Sequence, residues 1–314
     1  MELIDFKNAA LILEKVIKKT SLIKTNLSDK CNVYVKPENL QLTNSFKIRG
    51  AYLKINSLSE EEKRKGVITC SAGNHAQGVA FACKELGIES HICMPKATPK
   101  IKIDATKKYG AEVILIDGVY DDAYTKAIEL QQKYGYTFVH PFNDEKVIIG
   151  QGTISLEILS ELKNTDIILC SVGGGGLISG VARCAKLINP KIKVYGIEPT
   201  GALSMYTSLA NGYRTRLEKV STIAEGAAVK EVGNITFEMN KKYVDDILYV
   251  HELDIINAIK YYYHELGLIT EGAGALPIAA IIADVVPNLN KNTNVVCVVS
   301  GGNIDPTFFK NNIK

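Results

Sequence analysis

The sequence predicts an α/β protein built from mostly parallel, twisted sheets flanked by helices. Two observations predict this class. Strand-like and helix-like segments alternate from one end of the chain to the other, and the strand-like segments are near-continuous apolar runs, which is typical of strands buried on both faces. Strand–helix–strand alternation favours parallel pairing with right-handed crossovers. The 314 residues are enough for two lobes or one large domain.

The predicted strands are rich in β-branched and aliphatic residues. The clearest are Val67–Cys70, His91–Met94, Glu112–Ile116, Asp166–Cys170, Lys193–Ile197 and Asn294–Val299. Apolar residues recur at helical spacing in the stretches between them, for example His75–Leu86, Asp121–Tyr134, Leu177–Leu187 and Leu253–Leu266. Gly87, Gly135 and Gly267 stand where glycines that end helices are expected.

The division into lobes has to come from topology, because the chain has no low-complexity linker and no repeat of fixed period. We predict a larger lobe formed by residues 1–47 and 148–314. A smaller lobe, residues 48–147, is expected to be inserted between its two parts.

Composition favours a cytoplasmic enzyme that acts on a small molecule. The net charge of +3 is too small to indicate nucleic acid or an anionic membrane as a partner. The sequence shows neither a signal peptide nor a membrane-spanning run. The seven cysteines include no Cys-x-x-Cys pair, and most lie in apolar runs, which suits reduced core residues better than disulfides.

Three apolar strands each end in a serine followed by glycine. These ends are Cys70–His75, Cys170–Gly176 and Val299–Asn303. In open parallel sheets, ligands bind outside the carboxyl ends of the strands. The three ends therefore predict one shared pocket.

The strongest of the three signals is the run of glycines Gly173, Gly174, Gly175 and Gly176, which is expected to open a helix at Leu177. Backbone N–H groups without side chains in the way, together with a helix N-terminus, favour a phosphate. A flexible turn is the alternative. The run lacks the lysine of a Walker loop and breaks the dinucleotide spacing at Ser179, but Glu198 stands where a ribose-binding acid would, so a nicotinamide-dependent oxidoreductase stays open.

The first strand end carries groups suited to a carboxylate: the amides of Ala72 and Gly73, and the side chains of Ser71, Asn74 and His75. His75 could equally be a polar residue beside a helix cap. At the third strand end, Ser300 offers a hydroxyl to the pocket, although a serine in a turn is as good an interpretation.

Lys47 lies in the run Ser45–Gly50, where its neighbours are apolar or cationic. Both kinds of neighbour lower the pKa of an amine, and a neutral amine can form a Schiff base with a carbonyl. A surface lysine at a helix start is the alternative. Pyridoxal 5′-phosphate brings an aldehyde and a phosphate in one molecule, and its amino-acid substrates bring a carboxylate. A nicotinamide dinucleotide would leave Lys47 without a role.

The motifs together resemble those of the fold-type II pyridoxal-phosphate enzymes, a two-lobed family of the tryptophan synthase β type, and within it the threonine dehydratases. The resemblance rests on Ser45–Ala51, Ser71–Gly78, Ser171–Leu177 and Ser300–Asn303, and it extends over nearly the whole chain. It implies that Lys47 carries the cofactor, that Asn74 binds the oxygen on the cofactor ring, and that Ser300 faces the ring nitrogen. It also implies that Phe46 flanks the ring and that Gly173, Gly174, Gly175, Gly176 and Leu177 bind the phosphate.

The resemblance implies β-elimination of water and ammonia from L-threonine to give 2-oxobutanoate, as in isoleucine biosynthesis, and conversion of L-serine to pyruvate. Serine racemase on the same scaffold is the alternative. Serine racemases carry a second serine that supplies a proton, where this chain has Ala72. A nicotinamide oxidoreductase or a non-catalytic binding protein is less favoured.

Two further expectations come from the resemblance. The positions that hold a divalent cation in serine racemases correspond to Glu198, Ala202 and Ser204, and the loss of one carboxylate there favours no metal or a weak site. A structural salt bridge of Glu198 is the other interpretation. We also expect a homo-oligomer, either a dimer or a tetramer.

Overall fold

The larger of two sheets has six strands in the order β1–β2–β10–β7–β8–β9. The computed structural model describes residues 1–313. All neighbouring strands of this sheet are parallel except β1 and β2. The strands are β1 (Ile23–Lys24), β2 (Asn32–Pro37), β7 (Ile167–Ser171), β8 (Lys193–Pro199), β9 (Asp246–Val250) and β10 (Asn294–Val299).

The smaller sheet has four parallel strands in the order β5–β4–β3–β6. Its strands are β3 (Val67–Cys70), β4 (Ser90–Pro95), β5 (Glu112–Ile116) and β6 (Thr137–Phe138). The predicted α/β class with mostly parallel sheets is therefore confirmed. One detail differs: β5 is an edge strand, and Glu112 and Leu115 are exposed there, so it is not buried on both faces.

Helices flank both sheets. In chain order they are α1 (Leu3–Leu13), α2 (Lys47–Asn56), α3 (Glu60–Lys65), α4 (Asn74–Leu86), α5 (Lys100–Lys107), α6 (Tyr120–Tyr134), α7 (Glu145–Glu161), α8 (Gly176–Ile188), α9 (Ser204–Asn211), α10 (Asn234–Tyr243), α11 (Glu252–Leu266), α12 (Gly272–Ile282) and α13 (Pro306–Asn312). Short 3-10 helices cover Glu38–Leu40 and Glu225–Ala227. Gly87, Gly135 and Gly267 end α4, α6 and α11 in the left-handed conformation, as predicted.

The six-stranded sheet is covered on both faces. Alternate residues of each strand face opposite sides, so Leu169 joins the core under α11 and α12, while Ile168 joins the core under α7 and α8. The four-stranded sheet has its own core around Ile92 and Val79. Its strands all lie within residues 48–147, and those of the larger sheet lie outside that range. The positions of the two lobe boundaries stay a prediction.

The seven cysteines are all buried and free. Within residues 1–313, no helix is both long enough and apolar enough to cross a membrane.

Candidate active site

The three glycine-containing strand ends meet at one cavity, as the sequence predicted. The cavity has a volume of about 940 Å³ and is lined from β3 by Ser71 to His75, from β7 by Gly173 to Leu177, and from β10 by Ser300. Lys47 and Phe46 also line it. Every residue that the sequence suggested for the site therefore lies around the same space.

Lys47 is the first residue of α2, and close backbone packing fixes that helix. A Cβ on Gly150 of α7 would fall 2.7 Å from the Cα of Gly50, so the two helices touch at their glycines. A Cβ on Gly78 of α4 would lie 3.1 Å from the backbone of Lys47. Only glycine permits such approaches, and they place the lysine side chain in the cavity.

The Lys47 amine donates a hydrogen bond to the Pro141 carbonyl at 2.8 Å, and it lies 5.3 Å from the centre of the Phe46 ring. Burial lowers the pKa of Lys47 to about 8, while the negative charge of Glu271 opposes that shift. A useful share of the amine is therefore neutral near physiological pH, as a nucleophile requires.

Arg49 does not contribute to this shift in the way that the sequence suggested. Its fully buried guanidinium binds both oxygens of Glu38, at 2.7 and 2.8 Å, and the carboxylate of Glu157 at 2.6 Å. The two carboxylates neutralise the Arg49 charge, and burial alone accounts for the lowered pKa of Lys47. The expectation of a nearby cation as a cause was wrong.

The glycine run forms a cradle of free backbone donors, which we call the glycine cradle (residues 173–177). Its N–H groups donate to no acceptor within residues 1–313. Gly175 has a φ of +89°, in the left-handed region that favours glycine. A Cβ on Gly174 would fall 2.2 Å from the Phe142 ring, so a side chain cannot fit there. The Ser171 hydroxyl at the start of the cradle is also buried without a partner.

The loop at the end of β3, which we call the β3 loop (residues 71–75), differs from the glycine cradle in its hydrogen bonds. The N–H of Gly73 donates to the Ser71 hydroxyl at 3.2 Å, so Gly73 is not a free amide donor as expected. The N–H groups of Ala72, Asn74 and His75 donate to no acceptor in the part of the chain that the structure describes. They lie at the N-terminus of α4, whose dipole favours an anion.

The side chain of His75 does not serve the carboxylate site that the sequence suggested. Its Nε2 lies 2.9 Å from the Val139 carbonyl, which can only accept, so Nε2 carries the proton. Burial, reinforced by the Lys47 charge, lowers the pKa of His75 to about 3 and keeps the ring neutral. The remaining nitrogen is an acceptor and cannot donate to a carboxylate. The His75 side chain is thus a buried structural group, and only the backbone N–H of His75 is available to bind a carboxylate.

The Asn74 side chain binds Glu271, which sequence reasoning missed, and Asn303, which lies in the third predicted strand end. Asn74 donates to the Glu271 carboxylate at 2.6 Å, and the Asn303 amide donates to the Asn74 oxygen at 2.6 Å. One N–H of Asn74 remains free, because an amide nitrogen carries two hydrogens. Burial raises the pKa of Glu271 to about 7, although the bond from Asn74 acts the other way. The only sequence signal was the run of small residues that follows Glu271.

These features fit a ligand that carries both a phosphate and a carbonyl. The glycine cradle offers free N–H groups in an arrangement that a side chain would fill, and Lys47 offers a partly neutral amine in the same cavity. A family model described as "Pyridoxal-phosphate dependent enzyme" matches residues 13–301. The chain belongs to the pyridoxal-phosphate-dependent enzymes.

Individual pyridoxal-phosphate-dependent enzymes are similar to this chain in sequence and in structure. The chain is 46% identical over 306 residues to an L-threonine ammonia-lyase of Thermotoga maritima, covering 96% of this chain and 75% of that protein. The processed threonine deaminase isoform 2 of Solanum lycopersicum has a similar structure, with a TM-score of 0.92, 42% identity and coverage of 98% and 92% of the two chains. Maize serine racemase has a TM-score of 0.94 with 33% identity and coverage of 99% and 96%. The predicted fold-type II architecture and its cofactor, pyridoxal phosphate, are therefore confirmed.

Glu198 does not form the salt bridge that was one interpretation of it. Its carboxylate accepts the N–H groups of Met205 and Tyr206, both at 2.9 Å, and so binds the N-terminus of α9. It makes no ion pair with any residue from 1 to 313, so the salt-bridge interpretation was wrong. Burial raises the pKa of Glu198 to about 7. Over the same range, no group of three His, Cys, Asp or Glu side chains is arranged to hold a metal.

Proposed function

We propose that this chain is a pyridoxal-phosphate-dependent ammonia-lyase that converts L-threonine to 2-oxobutanoate and ammonia, and L-serine to pyruvate and ammonia. One observation carries the proposal: the partly neutral amine of Lys47 shares a cavity with the free N–H groups of the glycine cradle. The threonine ammonia-lyase and threonine deaminase relatives support this substrate class. Isoleucine biosynthesis is the role we propose for the product.

The residues that would hold the cofactor lie on both sides of the cavity. The glycine cradle, residues 173–177, would receive the phosphate. Lys47 would bond to the aldehyde, with Phe46 beside the ring. The free N–H of Asn74 would reach the ring oxygen, and the Ser300 hydroxyl would face the ring nitrogen. When bound, pyridoxal phosphate supplies an aldehyde that takes up the substrate amine and an electron sink for the charge that develops at the α-carbon.

Lys47 would have a second task towards the bound substrate. Its amine would remove the proton from the α-carbon, acting as a general base from one face. The Pro141 carbonyl, 2.8 Å from the amine, gives the lysine a fixed resting position in the cavity. The lowered pKa suits this task, because the base has to be neutral to accept a proton.

The β3 loop would bind the substrate carboxylate. The free N–H groups of Ala72, Asn74 and His75 and the Ser71 hydroxyl are donors, and the α4 dipole adds a favourable charge. Lys47 and the β3 loop together orient the α-carbon, so that the proton on its lysine face is the one removed. The hydroxyl on the β-carbon is then lost as water.

Serine racemase is the second candidate, and the similarity to the maize enzyme favours it. Racemisation needs a second proton donor on the face opposite Lys47. Ala72 lines the cavity in the β3 loop, and its methyl group cannot donate a proton. We therefore propose elimination with little racemisation.

The test is the release of 2-oxo acids from L-threonine, L-serine and their D-forms, measured side by side with D-serine formation. We expect 2-oxobutanoate from L-threonine and pyruvate from L-serine, with D-serine forming much more slowly. D-serine formed at a rate comparable to pyruvate would favour the racemase. A protein that released no 2-oxo acid from any of the four would refute the lyase.

We also propose three properties of the protein that the sequence predicts. The lobes divide at residues 47/48 and 147/148, the protein forms a dimer or tetramer of identical chains, and it works in the cytoplasm. The free, buried cysteines support the last of these, since reduced thiols are usual in that compartment. Light scattering coupled to size-exclusion chromatography measures the oligomeric state directly.

A further inference from the structure

Thr236 lies behind the glycine cradle and does not line the cavity. Its side chain is fully buried in the first turn of α10. The hydroxyl donates to the Gly174 carbonyl at 2.6 Å, and the Gly233 carbonyl lies farther away at 3.2 Å. A hydroxyl has one proton to donate, so the shorter contact, to Gly174, takes it.

The hydrogen bond from Thr236 to Gly174 sets the direction of the Gly175 N–H group. In a trans peptide, the carbonyl of one residue and the N–H of the next point in opposite directions. The Gly174 carbonyl points towards Thr236, so the N–H of Gly175 points to the other side, where the cavity lies. That N–H donates to no acceptor within residues 1–313. Gly175 has no side chain to restrict its backbone, so the hydrogen bond from Thr236 restrains the orientation of the Gly174–Gly175 peptide.

Thr236 is itself well anchored. The Asn143 side chain accepts the N–H of Ile235 at 2.9 Å, which fixes the start of α10. Asn143 follows Pro141 by two residues, and the Pro141 carbonyl binds the Lys47 amine at 2.8 Å. The short segment 141–143 therefore holds both the amine and the helix that carries Thr236, so the distance between amine and cradle is fixed through it.

We propose that Thr236 is a positioning residue for the phosphate of the cofactor. Its hydroxyl holds the Gly174–Gly175 peptide so that the Gly175 N–H faces the phosphate before the phosphate binds. A donor oriented in advance binds an anion more tightly, because no reorientation is needed on binding. The proposal rests on the proposed function, since it needs the glycine cradle to be the phosphate site.

The test compares pyridoxal phosphate binding by the wild-type protein and by Thr236→Val, which replaces the hydroxyl with a methyl group of similar size. Titrations followed by visible absorbance give the dissociation constants. We expect Thr236→Val to bind the cofactor on the order of tenfold more weakly, the value of one hydrogen bond. Thr236→Ser keeps the hydroxyl and should bind nearly as the wild type does. Should Thr236→Val fold poorly, Thr236→Ala removes the same hydroxyl without adding a methyl group.

Two controls separate positioning from a general loss of stability. Pyridoxal lacks the phosphate, so it should bind the wild type and Thr236→Val equally well. Thr165 is a matched buried threonine outside the cavity, and its hydroxyl donates to the Leu162 carbonyl at 2.7 Å. Thr165→Val should leave cofactor affinity unchanged.

Three outcomes would overturn the proposal: cofactor affinity of Thr236→Val equal to that of the wild type, an equal loss of affinity for pyridoxal, or an equal loss in Thr165→Val. A wild-type protein that bound no pyridoxal phosphate would refute the proposed function itself. That result is recognisable without any variant.

Discussion

The glycine cradle and the β3 loop have the same sequence design, a strand that ends in serine, glycine and a helix, but they are held in different ways. The cradle is held at its backbone, chiefly by the hydrogen bond from the Thr236 hydroxyl to the Gly174 carbonyl. The β3 loop is held through its side chains, because Asn74 binds Glu271 and Asn303 from the larger sheet's part of the chain. One region is a rigid set of N–H donors, and the other joins the two sheets across the cavity.

The difference indicates that the two regions bind different ligands. A cradle fixed from behind by buried groups suits a cofactor that stays bound through many turnovers. A loop whose contacts cross the cavity suits a substrate that has to enter and leave, since its position depends on both sides of the site. Substitutions in the cradle should therefore change cofactor binding, and substitutions in the β3 loop, apart from Asn74 with its role towards the cofactor ring, should change substrate binding.

Gly174→Ala should have the largest effect. The added Cβ would fall 2.2 Å from the Phe142 ring, so the cradle or the ring has to shift, at a cost of about 1–3 kcal/mol. We expect the dissociation constant for pyridoxal phosphate to rise roughly a hundredfold, since about 1.4 kcal/mol is a factor of ten. Absorbance titration measures it, and unchanged affinity would show that the cradle is not tightly packed.

Gly73→Ala is the matched change in the β3 loop. A Cβ on Gly73 meets nothing within 4 Å, so the methyl group of alanine has space there. We expect cofactor affinity to stay at the wild-type value, while KM for L-threonine rises about tenfold because the methyl group enters the substrate space. If this variant lost the cofactor instead, the proposed division between the two regions would be wrong.

Glu271→Gln should shift the pH dependence of cofactor attachment. The neutral amine of Lys47 is the reactive form, so the attachment rate should rise with pH through the lysine pKa of about 8. The Glu271 charge raises that pKa. Removing the charge lowers the pKa, and the midpoint of the profile should move to lower pH.

Stopped-flow absorbance across a pH series measures the Glu271→Gln shift. Glu231→Gln is the control, because Glu231 also lines the cavity but its carboxylate pairs with Arg214 and Arg216. The control should keep the wild-type midpoint. A midpoint that stayed in place in Glu271→Gln, or moved to higher pH, would contradict this electrostatic account.

Glu198→Ala should have the smallest effect. It removes the carboxylate that caps α9, and loss of such a cap lowers the free energy of unfolding by about 1 kcal/mol. Met205 of α9 lies against Gly175, since a Cβ there would fall 2.6 Å from its Cε, so cofactor affinity should fall slightly as well. Urea unfolding measures the first effect. Stabilisation of the wild type by added magnesium or calcium that is lost in Glu198→Ala would show that Glu198 binds a cation instead.

Much of the fold was predictable because its strands and helices have strong periodic patterns. The strands Val67–Cys70, Glu112–Ile116 and Asn294–Val299 were predicted to the residue. Strands β1 and β6 have two residues each, so they are too short to show a periodic pattern in the sequence. Strand β9 (Asp246–Val250) was not predicted, although four consecutive apolar residues follow Asp246 in it.

The site was predictable where a motif carries its own chemistry, as in the glycine run and the run around Lys47. It was not predictable where the role depends on a partner distant in sequence. Glu271 meets Asn74 across 197 positions, and Thr236 meets Gly174 across 62. The predictions for His75 and Glu198 failed for a related reason. Their partners, the Val139 carbonyl and the α9 amides, are backbone groups, which the sequence does not distinguish from those of other residues.

The central claim is that the Lys47 amine and the glycine cradle serve one bound cofactor. Borohydride reduction of the protein loaded with pyridoxal phosphate, followed by peptide mass spectrometry, tests it most directly. We expect the added mass on the peptide that contains Lys47. Mass on Lys102 or Lys230, the other lysines that line the cavity, or on no lysine at all, would contradict it.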